Sequence, residues 1–338
     1  MEFESVLRSS AHSDLLLYRA VRDYRSVEAG RTYVARVWDR KGLADVERDR
    51  LVEVLGAMAA HQRSPVLIQV HEVLVDKQDR LVVVQEHLAG GSFRRHYRAC
   101  RLQLSEVLRF GIQLTAALTV LHRYMVHGRV DPSVVLFRSA SDDGEHLGDL
   151  VLAGVEVAEV ADSAGWGPWR SRWASPRVRS GDCAGDRSDD LYSFAALMCS
   201  ALTRAEPPDT VEQLPERLRP DVPQSLMQLL RSAMEPASRL RPVTAEMLLN
   251  QLWEVERECR FSRTPIKWPA STQGFSIRRA GSESPVFVVD DDERFGFDGR
   301  PVRIIEPPSG PVPGRAAPLP PGDPPGGPFP KVGRRPSP

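Results

Sequence analysis

The chain has 338 residues, 41% hydrophobic and 27% charged, the balance of a globular protein with a sizeable core. Its 45 basic residues match its 45 acidic ones, so bulk charge points to neither nucleic acid nor an anionic membrane surface. Four scattered cysteines without a C-x-x-C pair, no bilayer-length apolar run and no apolar signal core near the N-terminus exclude a zinc framework and a spanning segment, and predict a cytoplasmic protein.

Residues 1–13 are expected to form an N-terminal extension ahead of a domain over 14–258. Asp14–Val27 and Arg31–Arg40 read as extended segments joined by a turn at Gly30. Ala44–Ala60 carries Leu51, Val54, Leu55 and Met58 at helical spacing. Val66–Val75 and Arg80–Leu88 are β-rich and separated by the turn-like Asp76–Asp79. After Gly90-Gly91 the periodicity becomes helical: Leu104–Tyr124, with Ser105 as a candidate N-cap, then Asp189–Thr203, Gln224–Met234 and Thr244–Glu256. A small β-rich lobe (about 14–88) thus feeds a larger helical one (about 89–258), an α+β pattern. Residues 259–305, with an apolar patch at Pro285–Val289 followed by three aspartates, read either as a segment docking on the domain or as disordered. The Pro-rich tail over 306–338 has too few apolar side chains to offset ordering and is expected to be disordered.

Five local motifs in this order resemble the protein kinase superfamily, in its eukaryotic-type Ser/Thr form: Gly30–Val37, Leu81–Phe93, the loop-like His127–Leu136, Asp190–Ala195 and the run from Glu235-Pro236 to Arg241-Pro242. The resemblance implies a bilobal kinase-like fold, and it lets each charged partner of phosphoryl transfer be sought at its matching position. A glycine-rich phosphate loop should fall in Arg19–Val27, but no glycine precedes Gly30. Arg36 stands where the family has a strand lysine. The helical glutamate that should pair with it matches Leu51, with Glu47 and Glu53 nearby and Glu47 as an alternative partner. His127 is kept, while the catalytic base position holds Arg129, the lysine position Asp131 and the metal-binding asparagine position Val134. The metal-binding triplet matches Leu152-Ala153-Gly154. An arginine cannot accept a hydroxyl proton and hydrocarbon side chains cannot ligate magnesium.

His127, Gly154, Asp190 and Arg241 remain as scaffold positions in the resemblance. Arg177 replaces the usual glutamate partner of Arg241, which leaves Asp182 or Asp189 to pair with Arg241. These matches imply a pseudokinase with no catalytic residue, no metal and no cofactor, acting as a scaffold or an allosteric regulator of an active kinase or other enzyme. The alternative is a residual or unconventional transferase that still binds ATP; a nucleotide, held even without metal, would lie against a hinge at Gln85, Glu86, His87 and Leu88, over a floor at Leu136. Trp166, Trp169 and Trp173 read either as a partner-binding patch or as packing against the helical lobe. P-x-x-P spacings in the tail suit an SH3 or WW domain. A third reading makes the tail the working part and the domain its anchor.

Overall fold

The computed structural model of the protein describes residues 1–268, except 11–12, 24–26, 39–48, 50, 53–54, 56–63, 99–101, 124, 140–146, 158–159, 161–168, 184, 209–212, 214–219 and 243. The expected tail, Trp166, Glu47 and Glu53 lie outside the described residues.

The N-terminal lobe is a five-stranded antiparallel sheet in the order β1-β2-β3-β5-β4. Its strands are β1 (Glu2–Ser9), β2 (Ser13–Arg19), β3 (Thr32–Trp38), β4 (Val70–Val75) and β5 (Leu81–Glu86). Residues 2–9, expected to lie outside the domain, form its first strand: Phe3 pairs with Tyr18 and Val6 with Leu16. The Phe3 and Tyr18 rings meet edge to face, 5.7 Å apart. This changes the place of the connections. The turn between β1 and β2 is closed by Ser10 and Ser13, whose backbone N–H to carbonyl distance is 3.0 Å. Arg19–Val27, the segment expected to hold a phosphate loop, instead follows β2 on the way to β3.

Strand periodicity sorts the side chains of β3 onto two faces. Tyr33, Ala35 and Val37 enter a cluster with Leu16, Tyr18 and Val84. Val34, Arg36 and Trp38 point the other way, where Trp38 packs with Leu51, Leu55, Val70 and Val83. Asp49, Leu51, Val52 and Leu55 are helical, in agreement with the spacing in the sequence.

The C-terminal lobe is built around α2 (Leu104–Leu121), which follows the short α1 (Phe93–His96). Gln103, not Ser105, is the N-cap of α2. Alone among the described helices, α2 is long and apolar enough to cross a membrane, but most of it is buried in the centre of this lobe. Around it stand α3 (Pro176–Ser180), α4 (Arg187–Thr203), α5 (Gln224–Ala233) and α6 (Ala245–Glu258), with the hairpin β6 (Val135–Phe137) and β7 (Leu150–Leu152) at the lobe boundary. Thr244 caps α6 by accepting from Met247 N–H. Beyond α6 the chain folds back. Glu256, buried, accepts from Thr264 N–H at 3.0 Å and from its hydroxyl at 2.5 Å, and Lys267 reaches Asp149 at 2.8 Å.

One carboxylate holds the base of this lobe together. Asp189, in the first turn of α4, closes a capping box with Asp186. The same carboxylate meets Arg241 at 2.8 Å and Arg177 at 2.6 Å, so two arginines that would repel share one acid. Burial alone would raise the Asp189 pKa, but hydrogen bonds from Arg177, Ser175 and Arg241 hold it down at about 2. A carboxyl group depressed on folding stabilises the protein above its ordinary value, and that contribution is lost as pH falls through the folded one.

Two outcomes are expected. Urea unfolding should show the native protein losing on the order of 2 kcal/mol more than Asp189→Asn as pH drops from about 5 to about 2. Phe110 stacks on Phe93 at 4.4 Å between ring centroids and is buried. Phe110→Ala should therefore cost ~3–5 kcal/mol in the same measurement at neutral pH.

Candidate functional site

The candidate cleft lies at the lobe boundary, where the residues leading into β4 run alongside the β6–β7 hairpin. Two backbone hydrogen bonds join the lobes there: Leu152 N–H donates to Val66 O at 2.9 Å, and Ile68 N–H donates to Leu152 O at 2.9 Å. Ile68, Leu88, Val151 and Ala153 form one buried apolar cluster, and the half-buried Leu136 packs against it. The expected hinge is tied in place. Gln85 is buried, Glu86 pairs with Arg138 at 2.8 Å, and His87 Nδ1 lies 3.1 Å from Thr32 Oγ1. Arg138 also donates to Pro65 O at 3.0 Å, a further tie between hairpin and N-terminal lobe.

The loop before β6 is anchored from α4. The buried Asp190 carboxylate accepts from the backbone N–H groups of His127 at 2.8 Å and Gly128 at 2.9 Å, and from His122 Nε2 at 2.9 Å. His127 Nε2 faces Ala153 O at 2.9 Å, while its Nδ1 lies 3.2 Å from Arg129 N–H. A carbonyl only accepts and an amide N–H only donates, so the ring hydrogen is on Nε2. His127 thus bonds the loop to the residue after β7.

Val134 and Leu152 are buried next to this crosslink, and Ala153 N–H donates to Val134 O at 2.8 Å. Gly154 follows with φ +76°, and a Cβ there would come 2.7 Å from Val134 Cγ1. Only glycine fits this approach without displacing Val134. Asp131 is engaged locally: one carboxylate oxygen accepts from Ser133 N–H at 2.7 Å and from its hydroxyl at 2.5 Å.

The partner of Arg36 is a residue that sequence reasoning missed. Its Nε lies 2.9 Å from Glu156 Oε1, and the ring of Trp38 lies 5.4 Å from its guanidinium carbon. The approach is off the N–H axis, so the contact is an ion pair without a directed hydrogen bond. Gln85 Nε2 donates to the same oxygen at 2.8 Å. Glu156 is fully buried, whereas 16% of the Arg36 side chain is exposed. Burial lowers the Arg36 pKa and Glu156 opposes that shift. The run Val155-Glu156-Val157 alternates like a strand with one polar face, so nothing in the pattern marks Glu156 as inward. The only cue is a carboxylate just beyond Gly154.

Trp173 is a correction to the partner-binding reading. It is 5% exposed, donates from Nε1 to Ser200 Oγ at 3.0 Å and meets the Tyr97 ring edge to face. Trp169 is half-buried.

No protein-family profile matches the chain. Among curated proteins it is similar to calmodulin-binding receptor-like cytoplasmic kinase 1 of Arabidopsis thaliana, 25% identical over 264 residues that cover 65% of this chain. Those residues are 52% of the plant protein, so the chain spans about half the length of that relative. Among solved structures it is similar to the PknI kinase domain of Mycobacterium tuberculosis, with a TM-score of 0.56 and 20% identity over 74% of this chain and 94% of that one. A second crystal structure of that domain gives a TM-score of 0.56 at 18% identity, covering 76% and 98% of the two chains. The antiparallel sheet, the helical lobe beneath it and these likenesses agree: the chain has the bilobal fold of the protein kinase superfamily.

Proposed function

We propose that this protein is a pseudokinase, a kinase-fold binding protein that works through protein contacts as a scaffold or allosteric regulator of another enzyme. The observation that carries the reading is the pairing of Val134 with the Leu152–Gly154 turn. On the resemblance these are the two magnesium-ligand positions, and both are filled by buried hydrocarbon. Magnesium requires oxygen ligands in near-octahedral geometry, and neither side chain supplies one. Among the described residues no group of three His, Cys, Asp or Glu side chains is placed to hold a metal. The chemistry of this donor set does not fit a magnesium nucleotide.

Three further features favour the reading. Arg129, at the position of the base, cannot take a proton from a substrate hydroxyl. No glycine precedes Gly30, so neither the β1–β2 connection nor Arg19–Val27 offers a glycine-rich phosphate loop. Leu136, the floor position on the resemblance, packs against the buried Ile68, Leu88 and Val151. The protein partner would be an active kinase or another regulated enzyme, with an SH3 or WW domain as a further partner for the Pro-rich tail. The relatives named above are kinases, so phosphoryl transfer is the outcome the test must be able to detect.

The test is a thermal-shift titration of the purified chain with ATP, with and without magnesium or manganese, alongside radiolabelled phosphate transfer to a generic acceptor protein. A ligand that binds only the folded state raises the melting temperature once its concentration passes its dissociation constant. No shift at millimolar ATP and no label transfer are expected. A metal-dependent shift or any transfer abolished by Arg36→Met would refute the proposal.

A further inference from the structure

Directly after Gly154 the chain makes a helical turn: Glu156, Val157 and Val160 are helical, and Val157 N–H donates back to Gly154 O at 3.1 Å. This turn is packed from both sides. Val155 belongs to the core of the helical lobe, whereas Val157 and Val160 join Trp38, Leu51, Leu55 and Val70 of the N-terminal lobe. Glu156 lies on the side of the turn that meets β3 and β5, where Gln85 donates to its Oε1 and Arg36 approaches the same atom. Its other oxygen, Oε2, is buried and has no hydrogen-bond partner among the described residues.

An arginine stays charged even when shielded, so the inner face of β3 requires an anion. A guanidinium in a cleft is suited to phosphate oxygens, which it holds in a fork. Here the anion is supplied by the chain itself. The other carboxylate that acts electrostatically on Arg36, Asp131, has one of its oxygens occupied by Ser133.

We propose that Glu156 is an internal ligand of the cleft: its carboxylate occupies Arg36 in place of an external phosphate group, and the turn that carries it fastens the two lobes together. This rests on the nucleotide-free reading above and deepens it, because it names what replaces the nucleotide. Neutralising Glu156 therefore converts the cleft into a site for a small polyanion. Arg36 would hold that anion directly, without a metal.

The experiment uses the full chain as four proteins: wild type, Arg36→Met, Glu156→Gln and the double variant. Melting temperatures come first. Each single change should lower the melting temperature, and the double variant should lose less than the sum of the two, because it buries no unpaired arginine. Inorganic pyrophosphate at millimolar concentration, in the presence of a chelator, is then titrated into each. A shift of several degrees is expected for Glu156→Gln and none for the wild type or the double variant.

Additive losses would overturn the proposal. So would a pyrophosphate response that is missing from Glu156→Gln, matched by the wild type, or still present once Arg36 is Met. If Glu156→Gln alone fails to fold while the double variant folds, the pairing is supported. If both fail, it is refuted, since removing the arginine charge should have rescued the fold. The two readings fail separately: a metal-dependent ATP shift in the wild type sinks the pseudokinase assignment, whereas additive losses in a wild type indifferent to ATP sink only the internal ligand.

Discussion

A guanidinium on the inner face of a strand cannot stay there alone. Arg36 is largely shielded from water by Trp38 and the surrounding sheet, and removing one partner of such a pair typically costs ~3–5 kcal/mol. The protein meets this constraint with Glu156, and the geometry of the cleft follows from where Glu156 must be. To bring its carboxylate up to β3, the chain has to turn immediately after β7, which uses the left-handed conformation of Gly154. The same turn delivers Val157 and Val160 to the underside of the N-terminal lobe. Charge pairing and apolar packing therefore pull the same short segment to the same place.

The helical lobe divides comparable work between two adjacent carboxylates at the start of α4. Asp189, buried at the helix start, neutralises Arg177 and Arg241. Asp190 faces inward and is satisfied by two backbone N–H groups and His122. Neighbours on a helix point about 100° apart, so adjacent acids can serve different walls. Through Asp190 and His127 the loop before β6 is bonded both to the centre of the lobe and to the residue after β7. This framework is intact although hydrocarbon fills the positions beside it.

Much of this was legible in the sequence because it depends on local pattern. The 3.6-residue stripe of Leu104–Leu121 and the alternation in Thr32–Trp38 are intrinsic to those segments, and the kinase resemblance rests on short local motifs such as His127–Leu136 and Asp190–Ala195. The need of Arg241 for a new acid could be read from the exchange at Arg177, and Asp189 was one of two candidates that the structure decides between. What could not be read depends on long-range placement. The strand at Glu2–Ser9 contains only two large apolar residues facing the sheet, Phe3 and Val6, and it is recognisable as a strand only through its pairing with β2. Glu156 is a charged residue in an alternating run, and ordinary patterning would leave it in solvent. Trp173 is one of three tryptophans in an arginine-rich stretch, a composition that suits a binding surface as well as a core; the hydroxyl of Ser200 decides its place from another helix.

The fold-back beyond α6 also redraws the edge of the folded unit. Glu256 is buried, and its carboxylate is satisfied by Thr264, while Arg263 covers the ring of Trp253 at 4.4 Å and Lys267 closes onto Asp149. A chain cut after Glu258, where sequence periodicity ends, would leave a buried carboxylate with nothing to accept from. Such a truncation would damage the last helix rather than report on the tail. Any division of labour between the folded part and the Pro-rich remainder has to be probed with a boundary placed beyond Lys267.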